Sequence, residues 1–443
     1  MSSDGLKRRL GFWDSIAINV GVIIGVGIFR VPAEVAQYVA APALILATWI
    51  LGGLVSLLGV FCYAELASCL PHTGGTYVYL REAFGKPVGF LFGWAEFSIV
   101  RAGSIAAVAY ILISYLGNFI PSIFSHEKLW TIAVIALFTA VNIFGIQIGT
   151  KIQNMLTALK IAFILAIVGL IFHLRGIPEI HSSALISGMD APSVFGIAPA
   201  LIPVLFTYGG WHQSTFMSGE FRDTQKALPL SLIAGVVIVT AVYLCMNVAY
   251  LQMMTPAQMA GSKAIVSDVF MNLFGATGKL AISAVVIISA SGALNSTILT
   301  GGRIPFAVAR DYPRFSWFAG IHPQFGTPMR SLLLNGVWAS VLVLWGNFEQ
   351  LLFFYSFASW LFFAFTGFGV FLLRRRQPAA GTFLRIGYPW TPVLFIFSSV
   401  WLCGIAVVHA PFESLLGFLL LSAGLPIYWF FRERKTAPSA IPV

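Results

Sequence analysis

The chain has 443 residues, of which 58% are hydrophobic and only 9% charged, with a formal net charge of +10. Soluble domains carry about 25% charged residues, so this composition excludes a water-soluble enzyme or binding module and describes a polytopic membrane protein. The four cysteines (Cys62, Cys69, Cys245, Cys403) form no CxxC pair and the seven histidines show no metal spacing, so no disulfide framework, metal or other cofactor is expected.

The opening MSSDGLKRRLGFWDS is polar and basic, and the apolar stretch after it is too long for the core of a cleavable signal peptide. A membrane-spanning helix needs about 20 apolar residues. Twelve segments qualify: 14–39, 42–66, 87–118, 129–145, 150–174, 195–219, 228–251, 279–300, 329–346, 350–373, 390–409 and 411–431. With the N-terminus inside, most Lys and Arg residues fall in cytoplasmic stretches. The opposite side holds Lys128, Arg175, Lys263 and Lys279, and Arg30, Arg101 and Lys160 lie at membrane depth. This asymmetry predicts both termini in the cytoplasm. It also accounts for the net charge with membrane lipid as the surrounding partner and without nucleic acid.

Segment one contains NVGVIIGVGIFRVPAE (19–34), in which Gly25 and Gly27 flank Val26 at the midpoint of a bilayer-length run. Glycine costs roughly 1 kcal/mol and proline about 3 kcal/mol in a helix interior, and freed backbone groups in hydrocarbon must find partners. Arg30 and Glu34, four residues apart, are placed to pair across one turn. In segment three, Glu96 and Arg101 are five apart, a spacing that points them to different faces of an α-helix, so no mutual pair is expected. Lys160 sits near the middle of segment five, where a charge costs about 2.5–3.5 kcal/mol on insertion scales. It is therefore expected to face protein or a cavity, with snorkelling to an interface as the alternative. Segment six repeats the defect of segment one. Its apolar run reaches Phe206, is interrupted by Thr207-Tyr208-Gly209-Gly210, and resumes as a second half-helix at Trp211. Here His212 either lines a pocket or packs as a hydrogen-bonded histidine. Ser289 and Ser291 of segment eight are candidate partners of Lys160.

The two breaks stand five segments apart and so cross the membrane in opposite directions. Corresponding breaks in opposed halves point to an inverted-repeat transporter with its site at the midplane. An unwound turn offers backbone N–H groups to a carboxylate at one half-helix N-terminus and carbonyls to an ammonium at the other half's C-terminus. Two adjacent breaks could thus hold both ends of an amino acid. The plain alternative is that these glycines serve close helix packing.

The quoted residues resemble the amino acid–polyamine–organocation superfamily, and within it the L-type amino acid transporter family. IIGVGIF is similar to that family's GxGIF signature, and CYAELASCLPHTGGTYVYLREAFG (62–85) matches its stretch after helix two. VRAGSIAAVA, QNMLTALK, YGGW and ALNSTILTGGR match further helices, with Ala102 where proline is usual. The resemblance, from about residue 12 to 390, implies an all-α, LeuT-like 5+5 inverted repeat with two additional helices. The implied organisation is 1–12 as cytoplasmic N-terminus, 13–190 and 191–376 as the two repeats, and 377–443 as helices eleven and twelve with the C-terminus.

By position, the resemblance assigns the Val26 and Gly27 N–H groups to a substrate carboxylate. It assigns the carbonyls of Ile23, Phe206 and Gly209 to the ammonium, with Phe206 also the gate over the pocket. Gly25, Thr207, Tyr208, Gly210 and Ser359 complete the expected substrate site. Lys160, with Ser289, stands where sodium-coupled relatives bind the ion. Val26 replaces a usual serine, His212-Gln213-Ser214-Thr215 follows YGGW where asparagines are common, and Gly219 stands where an acidic residue is frequent. These departures bear on side-chain preference rather than on transport itself.

The expectation is a sodium-independent exchanger of neutral L-amino acids in the cell (inner) membrane. The competing readings are a proton-coupled or cationic amino acid or amine carrier of the same superfamily, and a non-transporting sensor on the same fold. An intramembrane enzyme is disfavoured because no HExxH or paired intramembrane aspartates occur. The loop 117–128 lacks the cysteine through which some animal relatives attach a heavy chain, so no disulfide-linked subunit is expected.

Overall fold

The computed structural model describes residues 6–175, 194–262, 264–345, 348–376, 386–409 and 411–431. They form an all-α polytopic membrane protein, and among them the only β pairing is an isolated parallel bridge between Leu10 and Phe221. Eight described helical spans are long and apolar enough to cross a bilayer, and three shorter apolar helices accompany them.

Helix α1 (Phe12–Ile23) starts where the Asp14 carboxylate accepts the Gly11 N–H at 2.9 Å, the Glu/Asp half of a capping box. It ends at Ile24, whose φ of −75° and ψ of 76° make an inverse γ-turn closed by the Gly25 N–H on the Ile23 carbonyl at 2.8 Å. The chain resumes as a 3₁₀ turn (Gly27–Phe29) and then α2 (Val31–Tyr38). Next come α3 (Pro42–Cys69), α4 (Thr76–Phe84) and α5 (Lys86–Ala95). A π-turn (Glu96–Arg101) joins α5 to α6 (Ala102–Leu116), and α7 (Glu127–Ile143) and α8 (Ile146–Arg175) follow.

The second broken span opens with α9 (Ile197–Thr207). Beyond its break the chain is not the α-helix expected from Trp211 onward, but a 3₁₀ run over Gln213–Glu220. Hydroxyls explain the difference. Thr215 Oγ1 donates to the His212 carbonyl at 2.7 Å and Ser218 Oγ to the Thr215 carbonyl at 2.6 Å, occupying acceptors that α-helical N–H groups would use. Then come α10 (Ala227–Met253), the short α11 (Pro256–Gly261), α12 (Ile265–Gly301, kinked at Gly275) and α13 (Arg303–Asp311). The last four are α14 (Met329–Trp345), α15 (Phe348–Arg376), α16 (Trp390–His409) and α17 (Pro411–Phe431).

Helix α1 lies at the centre, packed against α8, α10 and α12. Glycine permits this closeness: a Cβ on Gly21 would fall 1.8 Å from the Gln153 amide on α8. The end of the bundle nearest the N-terminus is tied by ion pairs. Arg303 grips Glu220 with two bonds of 2.8 and 3.2 Å, both side chains fully buried, and Arg374 holds Glu65. Arg81 holds Asp311, which also accepts the Tyr77 hydroxyl. The Arg9 and Leu10 N–H groups meet the Glu220 carbonyl, and the Arg222 N–H returns to Leu10. Bidentate guanidinium–carboxylate pairs fix geometry as well as charge, so this end is sealed.

Candidate functional site

At the first break the carbonyl end of α1 is filled by side chains of its neighbours. Lys160 on α8 is fully buried, and its Nζ donates to the Gly21 carbonyl at 2.9 Å and to the Ile24 carbonyl. Ser289 on α12 donates to the Gly25 carbonyl at 2.8 Å and lies 3.4 Å from that of Ile24. Lys160 and Ser289 thus meet at the Ile24 carbonyl rather than pairing with each other. Snorkelling is ruled out by this geometry. Gly292 makes the room, since a Cβ there would lie 3.3 Å from the Lys160 Nζ.

The N–H side of the same break is open. Among the described residues, the backbone N–H groups of Val26, Gly27 and Ile28 meet no protein acceptor, while the next two, of Phe29 and Arg30, close onto Val26 and Gly27. Three successive unpaired donors at a half-helix N-terminus are the kind of arrangement that can receive an anion.

The second break crosses the first in direct contact. A Cβ on Gly27 would fall 2.7 Å from Thr207, and one on Gly210, whose φ is +104°, would fall 2.2 Å from the Val22 side chain. Gly27 and Gly210 therefore serve close approach, and Gly210 also a left-handed turn. Gly25 does neither: its nearest neighbours would be 3.7 Å away, and its φ is not positive. Tyr243 on α10 sutures the two breaks, its hydroxyl lying 2.7 Å from the Ile23 carbonyl and 3.1 Å from that of Thr207. The Tyr208 ring is buried beneath them, its hydroxyl on the Trp49 carbonyl at 3.0 Å. Sequence reasoning missed Tyr243, which is one of four hydroxyl residues in segment seven, with Ser231, Thr240 and Tyr250, and nothing local sets it apart from them.

The half-exposed positions at this crossing are Val22, Gly25, Val26, Gly27, Phe206 and Gly209, whereas Ile23, Thr207, Tyr208 and Gly210 are buried. These half-exposed positions are the accessible part of the crossing. Of the three carbonyls expected to take an ammonium, that of Ile23 already receives Gly25 and Tyr243, and that of Phe206 receives the Gly209 N–H at 2.9 Å. The Gly209 carbonyl accepts no hydrogen bond among the described residues. Ser359 is half-buried on α15, one turn before Phe363, whose ring packs 5.1 Å from Trp211. No hydrogen bond links Ser359 to the breaks among the described residues.

One expectation is corrected. Glu96 and Arg101 do pair, at 2.9 Å, and both are buried. The spacing argument assumed α-helix, but the segment is a π-turn, whose bonds span five residues and set Glu96 above Arg101. Arg30 and Glu34 pair at 3.1 Å and remain exposed, as their spacing indicates. His212 resolves toward packing: it is buried among the rings of Tyr63, Trp211, Phe216 and Phe363. Each buried carboxylate (Glu65, Glu96, Glu220) is matched to an arginine. Lys160 alone among the described buried cations faces carbonyls and no carboxylate.

The model of the amino acid permease family matches residues 10–429. The chain belongs to that family, within the amino acid–polyamine–organocation superfamily. The permease is 30% identical over 440 residues to the serine/threonine exchanger SteT of Bacillus subtilis (strain 168), covering 98% of this chain and 99% of that one. It is 31% identical to the human Asc-type amino acid transporter 1, covering 98% of this chain and 84% of the relative. Against the human b(0,+)-type amino acid transporter 1 it is 30% identical, covering 97% and 89%. These relatives are named as exchangers and transporters, and the permease is a transport protein rather than an enzyme.

Proposed function

We propose that the permease exchanges neutral L-amino acids across the cell membrane by alternating access, without sodium. The observation that carries this reading is the crossing of the two breaks. The N–H groups of Val26 and Gly27 on one break and the Gly209 carbonyl on the other have no protein partner among the described residues, and a backbone at this depth needs one. The substrate carboxylate sits on the Val26–Ile28 donors. Its ammonium sits on Gly209, flanked by the Ile23 and Phe206 carbonyls. The exchanger and transporter names of the relatives support amino acids as cargo.

Charge supports the neutral preference. A cationic side chain in a dry pocket needs a counter-charge, yet the half-exposed positions at the crossing include no acid, and the buried carboxylates are each held by arginine. Sodium independence follows from Lys160, whose ammonium occupies the carbonyls of Gly21 and Ile24 that a bound cation would need. Phe206 is the gate, and Gly25, Thr207, Tyr208, Gly210 and Ser359 shape the site. Two five-helix inverted repeats (13–190 and 191–376) rock about it, both termini lie in the cytoplasm, and the carrier works without a disulfide-linked subunit.

The test uses purified protein in liposomes loaded with unlabelled amino acids. Labelled serine, alanine, leucine and arginine are offered outside, in sodium or choline buffer. Neutral amino acids should exchange equally in both buffers, with arginine poor. A sodium requirement, efficient arginine exchange, or binding without exchange would each overturn the corresponding part.

A further inference from the structure

The permease has a cavity of about 350 Å³ away from the crossing of the breaks, with both polar and apolar walls. It lies between the C-terminal end of α6 and the first turns of α12, where Tyr115, Asn118, Ser267, Asp268, Met271 and Lys279 line it. By the charge asymmetry this is the external face. It adjoins the entrance, because α11, just before α12, packs on the second half of the first broken span, with Gln37 donating to the Ala260 carbonyl at 3.2 Å.

Its charges are opposite and are not spent on each other. Asp268 and Lys279 line one cavity yet form no ion pair, and the Lys279 ammonium has no protein partner among the described residues. The Asp268 carboxylate takes one hydrogen bond, from the Ser262 hydroxyl, which leaves acceptor sites open. Asn118 is fixed by its bond to Ser283 at 2.9 Å. Ion pairs are made at other places in the protein, by Glu34 with Arg30, Asp311 with Arg81 and Glu220 with Arg303. An acid and a base that line one cavity without pairing match a ligand that carries both charges.

We infer that this cavity is a second, external binding site for an amino acid zwitterion, its ammonium on Asp268 and its carboxylate on Lys279. The ligand class rests on the reading that amino acids are the cargo. Because the lining addresses the two ends, with Met271 and Tyr115 as unspecific walls, the site takes neutral amino acids with little regard to side chain. Exposed charge contacts are weak, so half-occupancy is expected on the order of 1 mM. Such a site would hold substrate beside the entrance while the central site is occupied.

The test places a thiol in the cavity (Ser267→Cys, in a Cys245→Ser chain) and measures its labelling by a charged methanethiosulfonate in nanodiscs. L-serine and L-leucine should each slow labelling about tenfold at ten times the half-protecting concentration. N-acetyl-L-serine and L-serine methyl ester, each missing one charge, should not. Lys279→Gln and Asp268→Asn should abolish protection. Gly27→Val, which blocks the central crossing, should abolish exchange and keep protection; Lys160→Ala serves the same purpose if that variant yields no protein. Protection that survives Lys279→Gln but is lost with Gly27→Val would overturn the external site and leave the central reading intact. Absence of protection in an actively exchanging wild type would also overturn it. Protection in a wild type that does not exchange would instead fell the transport reading and keep the external site.

Discussion

The two broken helices look alike in sequence and are finished differently. At the first, the protein satisfies the carbonyls with a buried ammonium and two hydroxyls, and leaves the N–H groups of Val26, Gly27 and Ile28 open. At the second, the turn closes mostly on itself: Tyr208 and Gly209 donate back to Val204 and Phe206, and Gln213 to Gly210. Among the described residues it leaves the Gly209 carbonyl and the N–H groups of Gly210, Trp211 and His212 without a protein partner. Both breaks therefore leave donors unpaired, and the second adds the Gly209 carbonyl as an acceptor. Two copies of the same defect, capped by different neighbours, make a polar pair suited to a ligand with two unlike ends.

The comparison is most exposed to a change at Lys160. Lys160→Ala leaves the Gly21 and Ile24 carbonyls without their donor, and hydrogen bonds to a charged group contribute about 1.5–3 kcal/mol each. Exchange should fall at least about 100-fold, with protein still inserted and monodisperse by size exclusion. Wild-type exchange in this variant would show that the capped carbonyls of the first break are incidental.

Gly210→Ala attacks the second break. A side chain at φ +104° is strained by about 1–3 kcal/mol, and its Cβ would overlap Val22 at 2.2 Å. Thermal stability should drop clearly, and Val22→Ala should restore part of it, because relief of the overlap leaves the backbone strain. Additive effects of the two substitutions would mean that the breaks do not press on each other as described.

How much of this was legible beforehand differs between the breaks and their capping. The interruptions at Gly25–Gly27 and Thr207–Gly210 could be read because glycine in a bilayer-length apolar run needs a reason, and Lys160 because a charge at that depth needs a partner. The partners themselves were not legible. Tyr243 reaches Ile23 across 220 residues of sequence, and no local pattern encodes that contact. The pairing of Glu96 with Arg101 was hidden because spacing rules presuppose the α-helical period, which a π-turn changes. The 3₁₀ run after Trp211 depended on hydroxyls turning back onto their own backbone, a choice that the Ser and Thr content permits without dictating.

Tyr243→Phe sharpens the comparison at the suture. The hydroxyl's one proton is shared between the Ile23 and Thr207 carbonyls, and its loss leaves buried acceptor capacity unsatisfied, at about 1–3 kcal/mol. Slower exchange, by about tenfold or more, should accompany the lost stability, since the breaks are no longer held in register. Phe206→Ala should act on rate rather than on register. Truncation of the gate is expected to lower turnover several-fold while binding measured in nanodiscs weakens less. Equal losses of rate and binding would make Phe206 a contact instead of a gate.

The smallest effect is expected at Gly25, and it separates two roles that glycine plays in one motif. Gly27→Ala would drive a Cβ to 2.7 Å from Thr207, whereas Gly25→Ala would place one in ordinary contact, 3.7 Å from the Val22 carbonyl and 3.8 Å from Ala293. Nothing in the surrounding packing requires glycine at position 25. Gly25→Ala should therefore keep stability within about 0.5 kcal/mol, while Gly27→Ala loses both stability and exchange. The informative measurement is exchange by Gly25→Ala across a series of substrates. If it stays near wild type for all of them, the carboxylate rests on Val26 and Gly27 clear of Gly25. If stability is kept but exchange collapses, the added methyl group competes with the substrate for the same space, and the carboxylate lies closer to the γ-turn at Ile24 than the open N–H groups alone indicate.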